Sequence, residues 1–311
     1  MAERKIGVLV MSYGTPESMA DIEAYYTHIR RGHPPTPEQL AELTDRYEAI
    51  VGGVFPLREN TNKQVDGLQA ALDRAKPGVY RCYQGLKHAR PYIEDGVQAM
   101  AADGIREAVG IVLAPHYSVM SVGSYIKRAQ EKAEAEGVRM TFVESYHLHP
   151  KLIEALTDRV KAGLSRFGGA DAQSRVKTLF SAHSLPERIL ELGDPYVEQL
   201  LATSRAIAEA ASLPDWQFTW QSAGRTREPW LGPDILDTLK QLAEEGHTAV
   251  LSAPIGFVSD HLEVLYDLDI EGKAFAADLG IRFERIEMLN TDARYMETLA
   301  DSVEAAAASL A

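Results

Sequence analysis

Residues 8–16, VLVMSYGTP, and residues 178–186, TLFSAHSLP, have one design: an apolar run, then small polar residues and a proline. A second pair, EAVGIVLAPHYSVMS at 107–121 and HTAVLSAPIGFVSDH at 247–261, repeats the relation. Around these echoes, short β-branched runs alternate with longer amphipathic segments. The runs are KIGVLVM, GVYRCYQG, AVGIVLA, RMTFVES, VKTLFSA, WQFTWQ, TAVLSAP and IRFERIE. Such alternation predicts βαβ units and mainly parallel sheets covered on both faces. Alternation and echo together predict an α/β fold of two similar doubly wound, flavodoxin-like (Rossmann-like) domains, 1–168 and 169–290, with a cleft between them. The Gly-rich stretch RFGGADAQS near 165–175 marks the join, and an Ala-rich helix over 291–311 is expected to pack back on the first domain. Ligands of doubly wound folds collect at the carboxyl ends of strands, where all four echoing segments lie.

Residues 14–62 hold no clear strand, and helices are predicted at 16–30 and 37–50. An excursion of this length between the first two strands is expected to form a lid over the site.

A chain of 311 residues has room for two domains, and a formal charge of −13 argues against a nucleic-acid footprint. With one cysteine, Cys82, neither an intrachain disulfide nor a four-cysteine iron–sulfur cluster can form within one chain. The apolar run near the start leads into a turn and not a cleavage site, and no stretch reaches the ~18 apolar residues of a membrane span. A cytoplasmic protein is expected.

The stretch DHLEVLYDLDIE at 260–271 places Glu263, Asp267 and Glu271 four residues apart. Like charges at that spacing repel by a few tenths of a kcal/mol, so the row is either a solvated face or a site for cations. A π-type turn near Glu263 to Asp267 would align the carboxylates, with His261 ahead of the row and not part of it. His183, at the end of a strand in SAHSLPERI, is either a satisfied core histidine or, facing Glu263 across the cleft, a nitrogen ligand for a borderline metal such as Fe²⁺. His88 in GLKHARP is a weaker cleft candidate, and the pair in YHLHP belongs to a loop. No Walker A loop, GxGxxG or GxSxG appears. Arg30, Arg46 and Tyr47, grouped in the lid, suit capture of a carboxylate, whereas Arg31 reads as charge at a helix C-terminus. Tyr13, at a strand end, either packs or serves as an oxygen ligand to oxidised haem iron.

The ordered segments MSYGTP, YYTHIRRG, DRYEAI, GLKHARPYIEDGV, LAPHYSVMSVGSY, SAHSLPE, GDPY, WQSAG, PWLGP and GFVSDHLEVLYDLD span the chain. Together they resemble the ferrochelatases, and among these the coproporphyrin ferrochelatases of Gram-positive bacteria. The resemblance implies a macrocycle held between two Rossmann-like domains. It also implies Fe²⁺ and coproporphyrin III as substrates, Fe-coproporphyrin for haem synthesis as product, and no organic cofactor. His183 and Glu263 match the family's metal-insertion pair, and Asp267 and Glu271 match an acidic face that takes a hydrated cation such as Mg²⁺. Tyr13, Arg30, Arg46, Tyr47 and Tyr125 match porphyrin or propionate contacts, with Tyr13 facing the metal of the product; WQSAG and PWLGP add Ser222 and Trp230. SYGTP is similar to the coproporphyrin branch, whereas protoporphyrin-using relatives read NLGTP. One departure is GGVFPL, with Phe55 where the family has a propionate-binding serine and Val51 as an extra residue; a backbone amide or Thr61 is expected to take over the contact. The resemblance also implies transient contact with upstream and downstream haem-pathway enzymes. Protoporphyrin IX metalation, cobalt insertion and non-catalytic haem binding or delivery are the alternatives.

Overall fold

The computed structural model describes residues 5–51 and 55–310, with only the backbone of Val51. All eight runs are strands. The first four, β1 (Ile6–Ser12), β2 (Tyr80–Leu86), β3 (Glu107–Val112) and β4 (Arg139–Val143), form a parallel sheet in the order β2-β1-β3-β4. The others, β5 (Lys177–His183), β6 (Trp216–Gln221), β7 (Ala249–Ala253) and β8 (Arg282–Arg285), form a second parallel sheet in the order β6-β5-β7-β8. Both sheets follow one winding order, so β1 corresponds to β5 and β3 to β7. These are the strands of the two echoing pairs. All seven residues of β1 are buried, which is why its sequence runs apolar without alternation.

The helices are α1 (Ile22–Ile29), α2 (Pro37–Val51), α3 (Pro56–Ala75), α4 (Ile93–Ala102), α5 (Val122–Glu136), α6 (Pro150–Ser165), α7 (Ala170–Gln173), α8 (Tyr196–Ala211), α9 (Ile235–Glu244), α10 (Leu262–Leu265), α11 (Lys273–Asp278) and α12 (Ala293–Ala307). The lid is shorter than expected. Pro56 starts α3, the crossover helix that packs on β2 and α12, so only α1 and α2 and their loops leave the β1–β2 connection. Pro at the first helical position fixes that boundary, since its φ suits a helix and its missing N–H is not needed there.

One apolar core runs through both sheets, joining Val10 and Ile111 of the first to Phe180 and Leu251 of the second. Helix α12 packs on α3, β3 and β4, and α6 contacts α12 on one side and α8 and β7 on the other. Packing is therefore continuous across α6, and the Gly-rich stretch after it is a surface connection; the domain limits drawn from it remain our proposal.

The π-wound segment is Asp267–Gly272, where the Glu271 amide donates to the Tyr266 carbonyl five residues back at 2.9 Å. It starts where the expected one, Glu263 to Asp267, ends. Before it, the Leu265 and Tyr266 amides keep ordinary bonds, 2.8 Å each, to the carbonyls of His261 and Leu262. The wide turn closes at Gly272, where a Cβ would lie 3.0 Å from the Asp267 carbonyl oxygen.

Glycine also sets the fit of α4 on β2. A Cβ on Gly96 would sit 2.6 Å from the Gln84 carbonyl oxygen and 2.7 Å from Leu9 Cδ1. Gly96→Ala is expected to destabilise the fold by about 1–3 kcal/mol through overpacking, read as a lowered Tm; an unchanged Tm would show that α4 lifts off freely.

Candidate active site

The carboxyl ends of β1, β3, β5 and β7 meet around a cavity of about 310 Å³ whose wall includes Tyr13, Tyr47, Tyr125, Lys87, His183 and Glu263. This is where parallel sheets hold ligands. His183 ends β5, and its Nδ1 bonds the Ser184 carbonyl oxygen. His261 caps α10 in an extended conformation, with Nδ1 2.9 Å from the Ser259 carbonyl oxygen. A carbonyl can only accept, so each Nδ1 carries its hydrogen and each Nε2 is left for Glu263. His183 Nε2 lies 3.4 Å from Glu263 Oε1, and His261 Nε2 lies 3.6 Å from Oε2. A lone pair facing a carboxylate oxygen repels it unless a proton or a cation stands between them.

The electrostatics agree with that reading. Burial alone would lower the His183 imidazole, but the Glu263 carboxylate, helped by the Ser184 carbonyl and Asp267, raises it to about 9. Burial alone would raise Glu263, yet His183 and His261 hold it well below the usual carboxylate range. At neutral pH the pair is imidazolium and carboxylate. Gln221 fixes the pair from below: its Nε2 donates to the Glu263 carbonyl oxygen at 2.8 Å, and its Oε1 accepts from Ser181 Oγ at 2.9 Å. The Tyr196 hydroxyl donates to the His183 carbonyl oxygen at 3.1 Å.

The acidic row does not continue into one cluster. Asp267 is ion-paired with Arg46 and accepts from Ser222 Oγ at 2.6 Å. Burial pushes its carboxyl up to about 6, with Arg46 opposing and Glu263 assisting. Glu271 is exposed. Among the described residues no three His, Cys, Asp or Glu side chains gather as a metal-holding group. Of the four expected residues, His183 and Glu263 face each other, Asp267 is held by Arg46 and Ser222, and Glu271 is exposed, while His261 reaches the Glu263 carboxylate from the other side.

The remaining candidates separate by position. Tyr13, Tyr47 and Tyr125 line the cavity, and Tyr47 bonds Thr15 Oγ1 at 3.2 Å. Arg46 is engaged by Asp267, with its guanidinium 4.8 Å from the centre of the Tyr266 ring. Arg30 curls back, its Nε donating to the His33 carbonyl oxygen at 3.1 Å, and Arg31 is exposed just beyond α1 with φ of 56°. The Trp230 ring centre is 6.3 Å from that of His183, and its Nε1 donates to Thr226 Oγ1 at 2.8 Å. Phe55 is buried with its ring 5.0 Å from that of Tyr47, so it supports the cavity wall and offers no polar contact. Thr61 cannot stand in for the missing serine, being buried beside Ser12 with 3.5 Å between hydroxyl oxygens. The amides of the preceding residues 52–54 lie outside the described residues.

Lys87 and Gln221 were not singled out from sequence. Lys87 follows β2 inside GLKHARP, next to the histidine that attracted attention. Burial, with Arg128 and Arg31 nearby, lowers its ammonium to about 8, and its Nζ lies 4.8 Å from the centre of the Tyr125 ring. A cation drawn into a cavity wall in this way favours an anionic ligand.

The ferrochelatase family model matches residues 5–307. Over 306 residues the chain is 47% identical to the coproporphyrin III ferrochelatase of Bacillus subtilis, covering 97% of this chain and 98% of that one. It is 48% identical over 297 residues to a ferrochelatase of Herpetosiphon aurantiacus, covering 95% and 97%. Among solved structures its fold is similar to the cobalt complex of the sirohydrochlorin chelatase SirB from Bacillus subtilis subspecies spizizenii, with a TM-score of 0.60, 11% identity and coverage of 98% and 96%.

Proposed function

This chain belongs to the ferrochelatase family, and from that premise we propose that it inserts Fe²⁺ into coproporphyrin III, giving Fe-coproporphyrin for haem synthesis. The observation that carries the reading is the row of His183, Glu263 and His261 on the wall of a mainly apolar cavity with several tyrosines, both Nε2 atoms being turned to one carboxylate. Nitrogen and oxygen donors suit a borderline cation such as Fe²⁺. A His183–Glu263 pair with no third ligand among the described residues to close a cage suits a metal that is passed on and not kept.

In this mechanism the incoming Fe²⁺ displaces the proton between His183 and Glu263. Coordination by the macrocycle then requires loss of two pyrrole N–H protons. As the metal passes into the ring it frees His183 Nε2, which can take up one of them with Glu263 beside it to stabilise the imidazolium, and the other leaves to solvent. Arg46, Tyr47, Tyr125 and Lys87 hold the substrate carboxylates, so that binding remote from the nitrogens keeps the ring in place as its protons leave. For Arg46 this means exchanging Asp267 for a propionate. The Tyr13 phenol, on the wall of the same cavity, faces the metal of the product in this reading. A resident Mg²⁺ on the acidic row does not fit the residues present, because Asp267 is already taken by Arg46 and Ser222, and no step depends on one.

The test is Fe²⁺ insertion into coproporphyrin III beside protoporphyrin IX, followed by loss of free-base absorbance. Charge-assisted hydrogen bonds are worth about 1.5–3 kcal/mol, so the two additional carboxylates are expected to favour coproporphyrin by about tenfold or more in kcat/KM. Equal rates on both porphyrins would remove the substrate assignment.

The described residues include no helix long and apolar enough to cross a membrane.

A further inference from the structure

Four rings from four parts of the fold stand in file beside the cavity. Tyr13 follows β1, His88 follows β2, His28 belongs to lid helix α1, and Tyr92 caps α4. The Tyr13 and His88 ring centres are 4.6 Å apart and tilted by 52°. His88 Nδ1 lies 3.0 Å from His28 Nδ1, so one ring donates to the other, and the His28 ring stacks on Tyr92 at 5.1 Å and 19°. Backbone bonds lock the first two partners: the His88 amide donates to the Tyr13 carbonyl oxygen at 3.0 Å and the Lys87 amide to that of Ser12 at 2.9 Å.

Tyr13 is 41% exposed, and no hydrogen bond from the described residues fixes its hydroxyl. The direction of its phenol is therefore set by what its ring leans on, and the ring contact is His88. His88 is in turn held from the lid by His28, whose other face rests on the start of a packed helix.

We propose that His88, braced by His28 of the lid, is a positioning residue that aims the Tyr13 phenol at the metal of the product. This rests on the reading that Tyr13 faces that metal. It gives the lid a chemical role besides covering the cleft, because an ordered α1 is then needed for Tyr13 to point correctly.

The test uses the full chain with ferric coproporphyrin III as probe, read by the phenolate-to-iron charge-transfer absorption and by the rate at which excess apomyoglobin removes the probe. Wild type should show the band and Tyr13→Phe should lose it. His88→Ala and His28→Ala should both weaken or shift the band and speed release between about two- and tenfold, the range of one aromatic contact. His88→Phe keeps a ring against Tyr13 but has no bond to His28, so adding His28→Ala to it should change nothing further. Circular dichroism separates misfolded variants, and His28→Ala, which touches neither Tyr13 nor the cavity wall, stays informative if His88→Ala fails to fold. A band present in wild type, absent in Tyr13→Phe and unaltered in both histidine variants would overturn the positioning role alone. A wild-type spectrum identical to that of Tyr13→Phe would overturn the reading of Tyr13, and this role with it.

Discussion

Replacing His183 with alanine should lower the rate of Fe²⁺ insertion by about two to four orders of magnitude, the usual contribution of a positioned acid–base group. The same change removes the nitrogen donor that faces Glu263 Oε1 at 3.4 Å. Coproporphyrin binding, measured by fluorescence quenching, should change little, because the carboxylate contacts lie elsewhere on the wall. The split separates loss of chemistry from loss of fold: a kcat lowered by that factor with an unaltered porphyrin affinity is the expected pattern, in a chain that stays folded but melts lower because the His183–Glu263 pair is broken. Insertion at wild-type rate in this variant would remove His183 from the metal path.

Glu263→Gln should be the second most damaging change, and for a different reason. The amide keeps the shape but loses the charge that holds His183 as imidazolium. Without it, burial is the largest influence on His183, and the ring falls back below its ordinary value. Metal affinity should fall by about one to two orders of magnitude, seen as a raised KM for Fe²⁺. Stability should also change with pH in a way that identifies the pair. The raised His183 contributes stability that is complete below its unfolded value of 6.5 and is lost as pH rises through about 9. The lowered Glu263 contributes stability present above its unfolded value of 4.5 and lost as pH falls through its depressed native value. Wild type should therefore exceed the Gln variant in Tm most clearly between pH 5 and 6.5 and least above pH 9. A gap in Tm that is the same at pH 6 and pH 10 would show that the pair is not charged in the folded chain.

The strands could be read from sequence because both faces of a parallel sheet are covered. That demand removes alternation and leaves runs such as IGVLVMS, which no helix period would produce. The echo between VLVMSYGTP and TLFSAHSLP was informative for a related reason: β1 and β5 occupy the same position in identically wound sheets, so the same constraints act on both. Pairing across the cleft was not accessible in this way. Arg46 and Asp267 are 221 residues apart, and nothing local in either segment announces that a lid arginine will neutralise the buried carboxylate of a π-wound turn. His261 was misplaced because helical spacing was applied to a residue that is outside the helix. As the cap of α10 it has φ of −159°, and from that extended backbone its ring turns toward Glu263 and not along the helix face. The π segment came four residues late because carboxylate spacing says nothing about where a backbone can widen, whereas Gly272 does. Phe55 shows the reverse case, a sequence departure whose consequence is packing under Tyr47 and not a replacement polar contact.

The most direct test of the account is the number of protons released when the metal binds. Titration calorimetry of the porphyrin-free chain with Fe²⁺ under anaerobic conditions, or with Zn²⁺, in two buffers of different ionisation enthalpy gives that number. With His183 at about 9, the imidazole is protonated at pH 7.5 and must lose its proton to accept a metal. About one proton released per metal at pH 7.5, falling toward none above pH 9 and absent in His183→Ala, is the predicted result. Tight metal binding with no proton release in wild type, or with the same release in His183→Ala, would contradict it.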